Sequence, residues 1–325
     1  MPETSLIVSL IGGLIVLAFA GDFLVTGAVS LARRIGMSPL VAGIFIVGFG
    51  TSAPEMIVAL DAARSDYPNL ALGNIVGSNI ANVLLVLAIP ALIAPVQAGG
   101  WGQRPALIVM VLATAGWITL LTTTGLTVSG GTVFVLALAI YASFTLIAAR
   151  GATNAGQDIG IDTDPHTIGL ARALGSTLVG IVGLPIGAHL IVEGGVGIAR
   201  FYAVPEELIG LSLLAIGTSL PEIGAGIASA LRSKTDVLVG NVLGSNIFNI
   251  LGAGGLVAFF GPIQAAASFN LYDHWIMVGT ALILGGFILT RSRIGRLAGS
   301  ALLLIYAIYI YGLVEGWNIM AMVNG

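Results

Sequence analysis

Residues 50–55 read Gly50-Thr51-Ser52-Ala53-Pro54-Glu55, and residues 217–222 read Gly217-Thr218-Ser219-Leu220-Pro221-Glu222. The second stretch is the first displaced by 167 residues, with one substitution. The same displacement, without a gap, lays Gly73-Asn74-Ile75-Val76-Gly77-Ser78-Asn79-Ile80-Ala81-Asn82 on Gly240-Asn241-Val242-Leu243-Gly244-Ser245-Asn246-Ile247-Phe248-Asn249. Self-similarity at a fixed displacement is the mark of a duplicated architecture. Weaker echoes, such as Leu24-Val25 against Ile191-Val192, carry the repeat upstream.

Both motif pairs sit in apolar surroundings. Of 325 residues, 57% are apolar and 8% charged, with a mean hydropathy of +1.04, whereas a soluble domain carries roughly 25% charge. Such a chain cannot clothe a soluble surface, so its surroundings are a lipid bilayer. Apolar stretches bounded by charge, proline and glycine fall at about 5–32, 39–63, 70–96, 104–122, 128–149, 168–199, 206–231, 237–260, 273–290 and 297–315. This predicts an all-α integral membrane protein of ten transmembrane helices. The run from Ser5 to Ala20 lacks preceding basic residues and continues apolar to Val29, which reads as a retained first helix and not a cleaved leader.

The long polar connection Arg150–Thr167 divides the spans into residues 1–150, a connecting loop 151–167, and residues 168–325, with five spans in each half. An odd number of spans per repeat forces the two halves into opposite orientations, the inverted-repeat plan of many secondary transporters. Basic residues test the count. Arg33, Arg34, Arg104, Arg150, Arg172, Arg232, Lys234, Arg291, Arg293 and Arg296 fall in loops on one side, and Arg64 and Arg200 on the other. The positive-inside rule makes the first side cytoplasmic and puts both termini outside. Minimal loops suggest a prokaryotic cytoplasmic (inner) membrane.

Net charge of −3 and the lack of a basic run argue against nucleic acid as a partner. The absence of cysteine excludes disulfides, thiolate metal sites and cysteine nucleophiles. His166, His189 and His274 lie far apart, with no paired metal-ligating spacing. No obligate protein partner and no cofactor is implied.

Glu55 and Glu222 interrupt otherwise uncharged spans. A charge at the bilayer centre costs about 2.5–3.5 kcal/mol on insertion scales and is seldom idle. Pro54 and Pro221 lack an N–H, which frees the carbonyls of Gly50 and Gly217 from the helical ladder. Thr51 and Glu55 are i, i+4 on one helix face, and Ser52 is i, i+3 from Glu55. In the following spans Asn74, Ser78 and Asn82 step by four, as do Asn241, Ser245 and Asn249. Gly73, Gly77, Gly240 and Gly244 beside these rows would let backbones approach closely. Every donor is oxygen, which selects a hard cation such as Ca2+ or Na+. Two carboxylates balance one Ca2+ or two Na+, so these ions can compete for one charge.

The paired G-T-S-x-P-E and G-N-x-x-G-S-N-I-x-N motifs resemble the α-repeats of the sodium/calcium exchangers, within the calcium/cation antiporter superfamily. The resemblance covers the whole ten-span plan. It implies a central calcium site from Glu55 and Glu222 with the Thr51 and Thr218 carbonyls, completed by Asn82 and Asn249. It further implies sodium sites formed by Thr51, Ser52, Ser78 and the Gly48 carbonyl on one flank, and by Thr218, Ser219, Ser245 and the Ala215 carbonyl on the other. The proton-driven branch typically carries G-N-x-x-E in place of G-T-S-x-P-E. Potassium-dependent relatives have Asp where this chain has Asn249, which points here to potassium independence. The connection 151–167 is too short for the cytoplasmic calcium-sensing domains of animal exchangers.

The expected function is therefore Na+/Ca2+ antiport by alternating access, not an enzymatic reaction. The alternative is H+ exchange for Ca2+ or another divalent ion on the same fold. A passive cation channel and an intramembrane carboxylate hydrolase are the competing classes; the second lacks a G-x-G-D context and a nucleophile–base pair. Asp22 and His189 are equivalent under the 167-residue displacement, with Glu193 one turn after His189, and are candidates to line a passage. Asp158, Asp162 and Asp164 read as a solvated loop.

Overall fold

The structure is a computed structural model, and it describes residues 2–65, 68–154, 168–202, 215–263 and 272–314. The helices among these residues are α1 (Pro2–Arg34), α2 (Pro39–Arg64), α3 (Pro68–Ile93), α4 (Gln103–Thr123), α5 (Val128–Asn154), α6 (Leu170–Phe201), α7 (Leu220–Leu231, preceded by the helical turn Ala215–Thr218), α8 (Thr235–Phe260), α9 (Tyr272–Leu289) and α10 (Arg296–Val314). Eight of them are long and apolar enough to cross a membrane, and two shorter apolar helices, Leu220–Leu231 and Asp273–Leu289, accompany them. The expected seventh span begins in residues 206–214, which lie outside the described residues, as do Asp158, Asp162, Asp164 and His166.

Outward-facing Leu112, Ile140, Leu178 and Leu282 give α4, α5, α6 and α9 an apolar outer surface. By contrast, α3 and α8 are almost wholly buried. These two helices carry the asparagine- and serine-rich motif, so the polar groups are kept from lipid by the rest of the bundle.

The pair α1 and α6 pack antiparallel. A Cβ on Gly194 would meet the Leu6 carbonyl at 2.7 Å, and one on Gly13 the Gly187 carbonyl at 2.8 Å. Further along, Gly27 lies against Thr177. Low numbers on α1 thus meet high numbers on α6. The 167-residue shift relates the two sides of this seam, since Gly13 rests on Ile191 and its counterpart Gly180 rests on Leu24. A small apolar core containing Leu17, Leu24, Val25, Leu184 and Ala225 joins the pair to α7. A larger core unites α3, α4, α8 and α9 around Leu72, Leu84, Trp117, Leu243 and Leu284.

An all-α reading needs one correction. Val96–Gln97 (β1) and Arg293–Ile294 (β2) form an antiparallel pair with Val96 opposite Ile294, and Leu126 bridges Ile263 in the same sense. The 167-residue shift carries Val96 onto Ile263. Two residues per strand are too few to leave an alternating pattern in the sequence.

Candidate cation-binding site

Three helices depart from α geometry, and they do so at the motifs. In α2 the segment Gly43–Gly48 is π-helical and leads directly into Gly50–Glu55. In α3 the π segment is Asn82–Val86, and in α8 it is Phe248–Gly254, which contains Asn249, the repeat equivalent of Asn82. A π turn re-aims side chains and displaces carbonyls, and such bulges gather at functional sites. The two proline motifs differ. Pro54 lies inside a continuous helix, whereas the second motif breaks at Ser219 and Pro221 occupies the first turn of the new helix. The expected equivalence of Pro54 and Pro221 as mid-helix prolines therefore holds only for Pro54. Starting a helix at Leu220 accommodates the missing N–H without a distorted ladder.

Glu55 and Glu222 are 2% and 1% exposed and close enough to act on each other electrostatically. Ser52 Oγ donates to Glu222 Oε1 at 3.1 Å, which ties the first motif to the second. Both oxygens of Glu55 and Oε2 of Glu222 are buried without a hydrogen-bond partner among the described residues, and so is Asn249 Oδ1. Buried acceptors are normally satisfied. Three unpartnered carboxylate oxygens are of the kind that can ligate a hard cation.

Around this centre Thr51 Oγ1 lies 3.4 Å from the Gly48 carbonyl and 3.3 Å from Asn241 Oδ1. Ser245 Oγ also donates to the Gly48 carbonyl, at 3.4 Å. Asn74 Nδ2 donates to the Glu55 carbonyl at 2.9 Å and so holds α3 against α2. Ser78 and Ser219 are buried, Thr218 is half-buried, and Ala215 opens the helical turn before Ser219.

The grouping differs from expectation in one respect. The Gly48 carbonyl meets Ser245 of the second half, whereas the family resemblance implies opposite flanks for the two. The cause is helix packing. A Cβ on Gly244 would meet the Ile44 carbonyl at 2.5 Å and one on Gly240 the Leu40 carbonyl at 2.5 Å, so α8 lies backbone to backbone along α2. Gly77 meets nothing within 4 Å among the described residues, and the counterpart of Ile44, residue 211, lies outside them.

Asparagines complete the centre in a way spacing alone did not reveal. Asn82 Nδ2 donates to Asn246 Oδ1 at 3.0 Å, and Asn249 Nδ2 donates to Asn79 Oδ1 at 3.3 Å. The 167-residue shift exchanges these two bonds. Asn79 and Asn246 stand within the repeated motif but off the i, i+4 rows, so their duplication is the sequence signal that marks them. Of the other candidates, Asp22 forms an ion pair with Arg232, and Glu193 Oε2 accepts from Ser9 at 3.5 Å. His189 is exposed.

The profile of the sodium/calcium exchanger protein family matches residues 5–147 and 172–314, two segments displaced by 167 residues at both ends. The chain belongs to this family. It is 34% identical to the inner membrane protein YrbG of Escherichia coli over 84% of this chain and 86% of that one. It is 27% identical to the sodium/calcium exchanger MaX1 of Methanosarcina acetivorans over 92% and 95% of the two chains. Among solved structures, the sodium-calcium exchanger NCX_Mj soaked with Na+ and Sr2+ superposes with a TM-score of 0.79 at 29% identity, covering 96% of this chain and 98% of that one. This family member is thus a membrane protein whose two halves carry the same motifs.

Proposed function

We infer that this protein exchanges Na+ for Ca2+ across the membrane by alternating access, with the ions held between the two repeats. The observation that carries this reading is the buried pair Glu55 and Glu222, with three of its oxygens unpartnered among the described residues. Two carboxylates held out of water need neutralising, by bound cations or by protons. A Ca2+ ion or two Na+ ions do this, and Thr51, Thr218, Asn82 and Asn249 add neutral oxygens. Gly48, Ser52, Ser78 and Ser245 with Ala215 and Ser219 serve the flanking sodium ions. If more than two Na+ replace one Ca2+, each net charge couples to voltage at about 2.3 kcal/mol per 100 mV.

The architecture proposed with this function has ten spans, in repeats 1–150 and 168–325 joined by a cytoplasmic loop 151–167. Antiparallel packing of α1 on its counterpart α6 supports the inversion. Both termini lie outside a prokaryotic inner membrane. The protein acts as a transporter and not an enzyme, without cofactor or obligate partner. Asn249 in place of an acid makes exchange independent of potassium.

The test is radiolabelled calcium uptake into proteoliposomes loaded with sodium and diluted into sodium-free buffer. Uptake is expected to follow the sodium gradient. Glu55→Gln or Glu222→Gln is expected to lower kcat/KM roughly 10²–10³-fold, the cost of leaving one charged partner uncompensated. Uptake driven only by a proton gradient would replace sodium with H+ as the coupling ion. No calcium uptake under either gradient would overturn the assignment.

A further inference from the structure

The amide pairs at the centre end on two methionines. Asn79 Nδ2 lies 3.8 Å from Met277 Sδ, and Asn246 Nδ2 lies 3.4 Å from Met110 Sδ. The 167-residue displacement takes Met110 onto Met277, so the whole chain of contacts is duplicated. One runs Met277–Asn79–Asn249 and the other Met110–Asn246–Asn82. All six side chains are at most 4% exposed, and Met110 and Met277 belong to α4 and α9, outside both motifs.

A thioether accepts weakly and has no proton to give. The end of Asn79 that faces Met277 must therefore be its NH2, which turns its oxygen the other way. That oxygen in turn requires the NH2 of Asn249, leaving Asn249 Oδ1, which is buried and has no hydrogen-bond partner among the described residues, as the last acceptor of the relay. The same logic runs from Met110 through Asn246 to Asn82. Were either relay reversed, an amide oxygen would face sulfur, and an amide NH2 would face the ion.

We propose that Met110 and Met277 are positioning residues that, through Asn246 and Asn79, turn the side-chain oxygens of Asn82 and Asn249 toward the transported cation. This rests on the reading of the carboxylate–asparagine cluster as the ion site. It assigns a role to two apolar residues that lie outside both motifs. It also explains why each site asparagine has a second asparagine behind it, since an amide that can flip must be told which end to present.

The experiment compares Met277→Leu, Met110→Leu, Met277→Gln and Met110→Gln in sodium-driven calcium uptake. Leu keeps the volume and removes the acceptor, whereas Gln restores an acceptor oxygen. The Leu variants are expected to raise KM for Ca2+ roughly three- to tenfold with little change in kcat, the worth of one oriented hydrogen bond. The Gln variants are expected to return to within about twofold of the parent protein. Packing alone predicts the opposite order, because Gln is the poorer fit to an apolar pocket.

Crossed backgrounds sharpen the test. A carboxylate presents oxygen at both ends, so Asn249→Asp should abolish the effect of Met277→Leu while leaving that of Met110→Leu, and Asn82→Asp should do the reverse. The same Gln-over-Leu order is expected in melting temperature, which keeps the comparison decisive if a Leu variant transports nothing. Leu variants equal to the parent, or Asp backgrounds that fail to separate the two relays, would overturn the proposal. If the parent transports calcium, loses it in Glu55→Gln, Glu222→Gln, and is unmoved by the Leu changes, the relay alone falls. A parent that carries no calcium removes the ion-site reading and the relay with it.

Discussion

Ser52 Oγ donates to Glu222 Oε1 at 3.1 Å and so joins the first motif to the second. A hydrogen bond to a charged group is worth about 1.5–3 kcal/mol. Ser52→Ala is therefore expected to lower kcat/KM for calcium roughly tenfold or more. Ser52→Thr, which keeps the hydroxyl, should retain most activity in the same uptake assay. The acids, hydroxyls and i, i+4 rows of this centre were legible in the sequence because their spacing is local. The pairings of Asn79 and Asn246, and the places of Met110 and Met277 behind them, were not, since they come from contacts between helices more than 130 residues apart in sequence.

Helix α8 reaches the centre only because glycines let it lie against α2. A Cβ on Gly244 falls 2.5 Å from the Ile44 carbonyl and 2.7 Å from the Ile44 Cα, a clash with backbone that a rotamer change cannot relieve. Gly244→Val is expected to destabilise the protein by about 1–3 kcal/mol and to lower its melting temperature, with calcium transport lost as α8 is pushed from α2. Gly286 on α9 provides the contrast, because a Cβ there meets nothing within 4 Å. Gly286→Ala should leave stability unchanged or raise it by about 0.5–1 kcal/mol. Apart from the seventh span, whose expected start lies outside the described residues, helix positions were readable from hydropathy to within about five residues. The π segments were not, because a π turn is chosen by what its side chains pack against and leaves no period of its own.

Across the molecule, the 167-residue displacement recurs in features that share no local cause. It relates the Gly13–Ile191 contact to the Gly180–Leu24 contact, and the asparagine bonds to one another. It also relates the two matched family segments. The ion pair of Asp22 with Arg232 stands outside this symmetry, since His189 and Ser65 occupy the equivalent positions. It links α1 to the end of α7, with side chains 49% and 40% exposed. A pair this open is worth about 0.2–1 kcal/mol. Asp22→Asn should shift the melting temperature by a few degrees at most, with the difference shrinking at high salt. A larger, salt-independent loss would mean that α1 is held by this contact more than by its glycine seam.

The sequence alone determined the membrane setting, the duplication, the two acids and the run of oxygen-bearing side chains in both motifs. Each follows from composition or from residues a few positions apart, so no knowledge of packing is needed. Only the tertiary structure decided that the Gly48 carbonyl meets Ser245, that the second motif breaks at Ser219 while the first stays helical, and that two methionines stand behind the site asparagines. Those outcomes depend on which helix lies beside which. Helix neighbours are chosen by close packing of whole faces, a property spread over many residues and written at no single one.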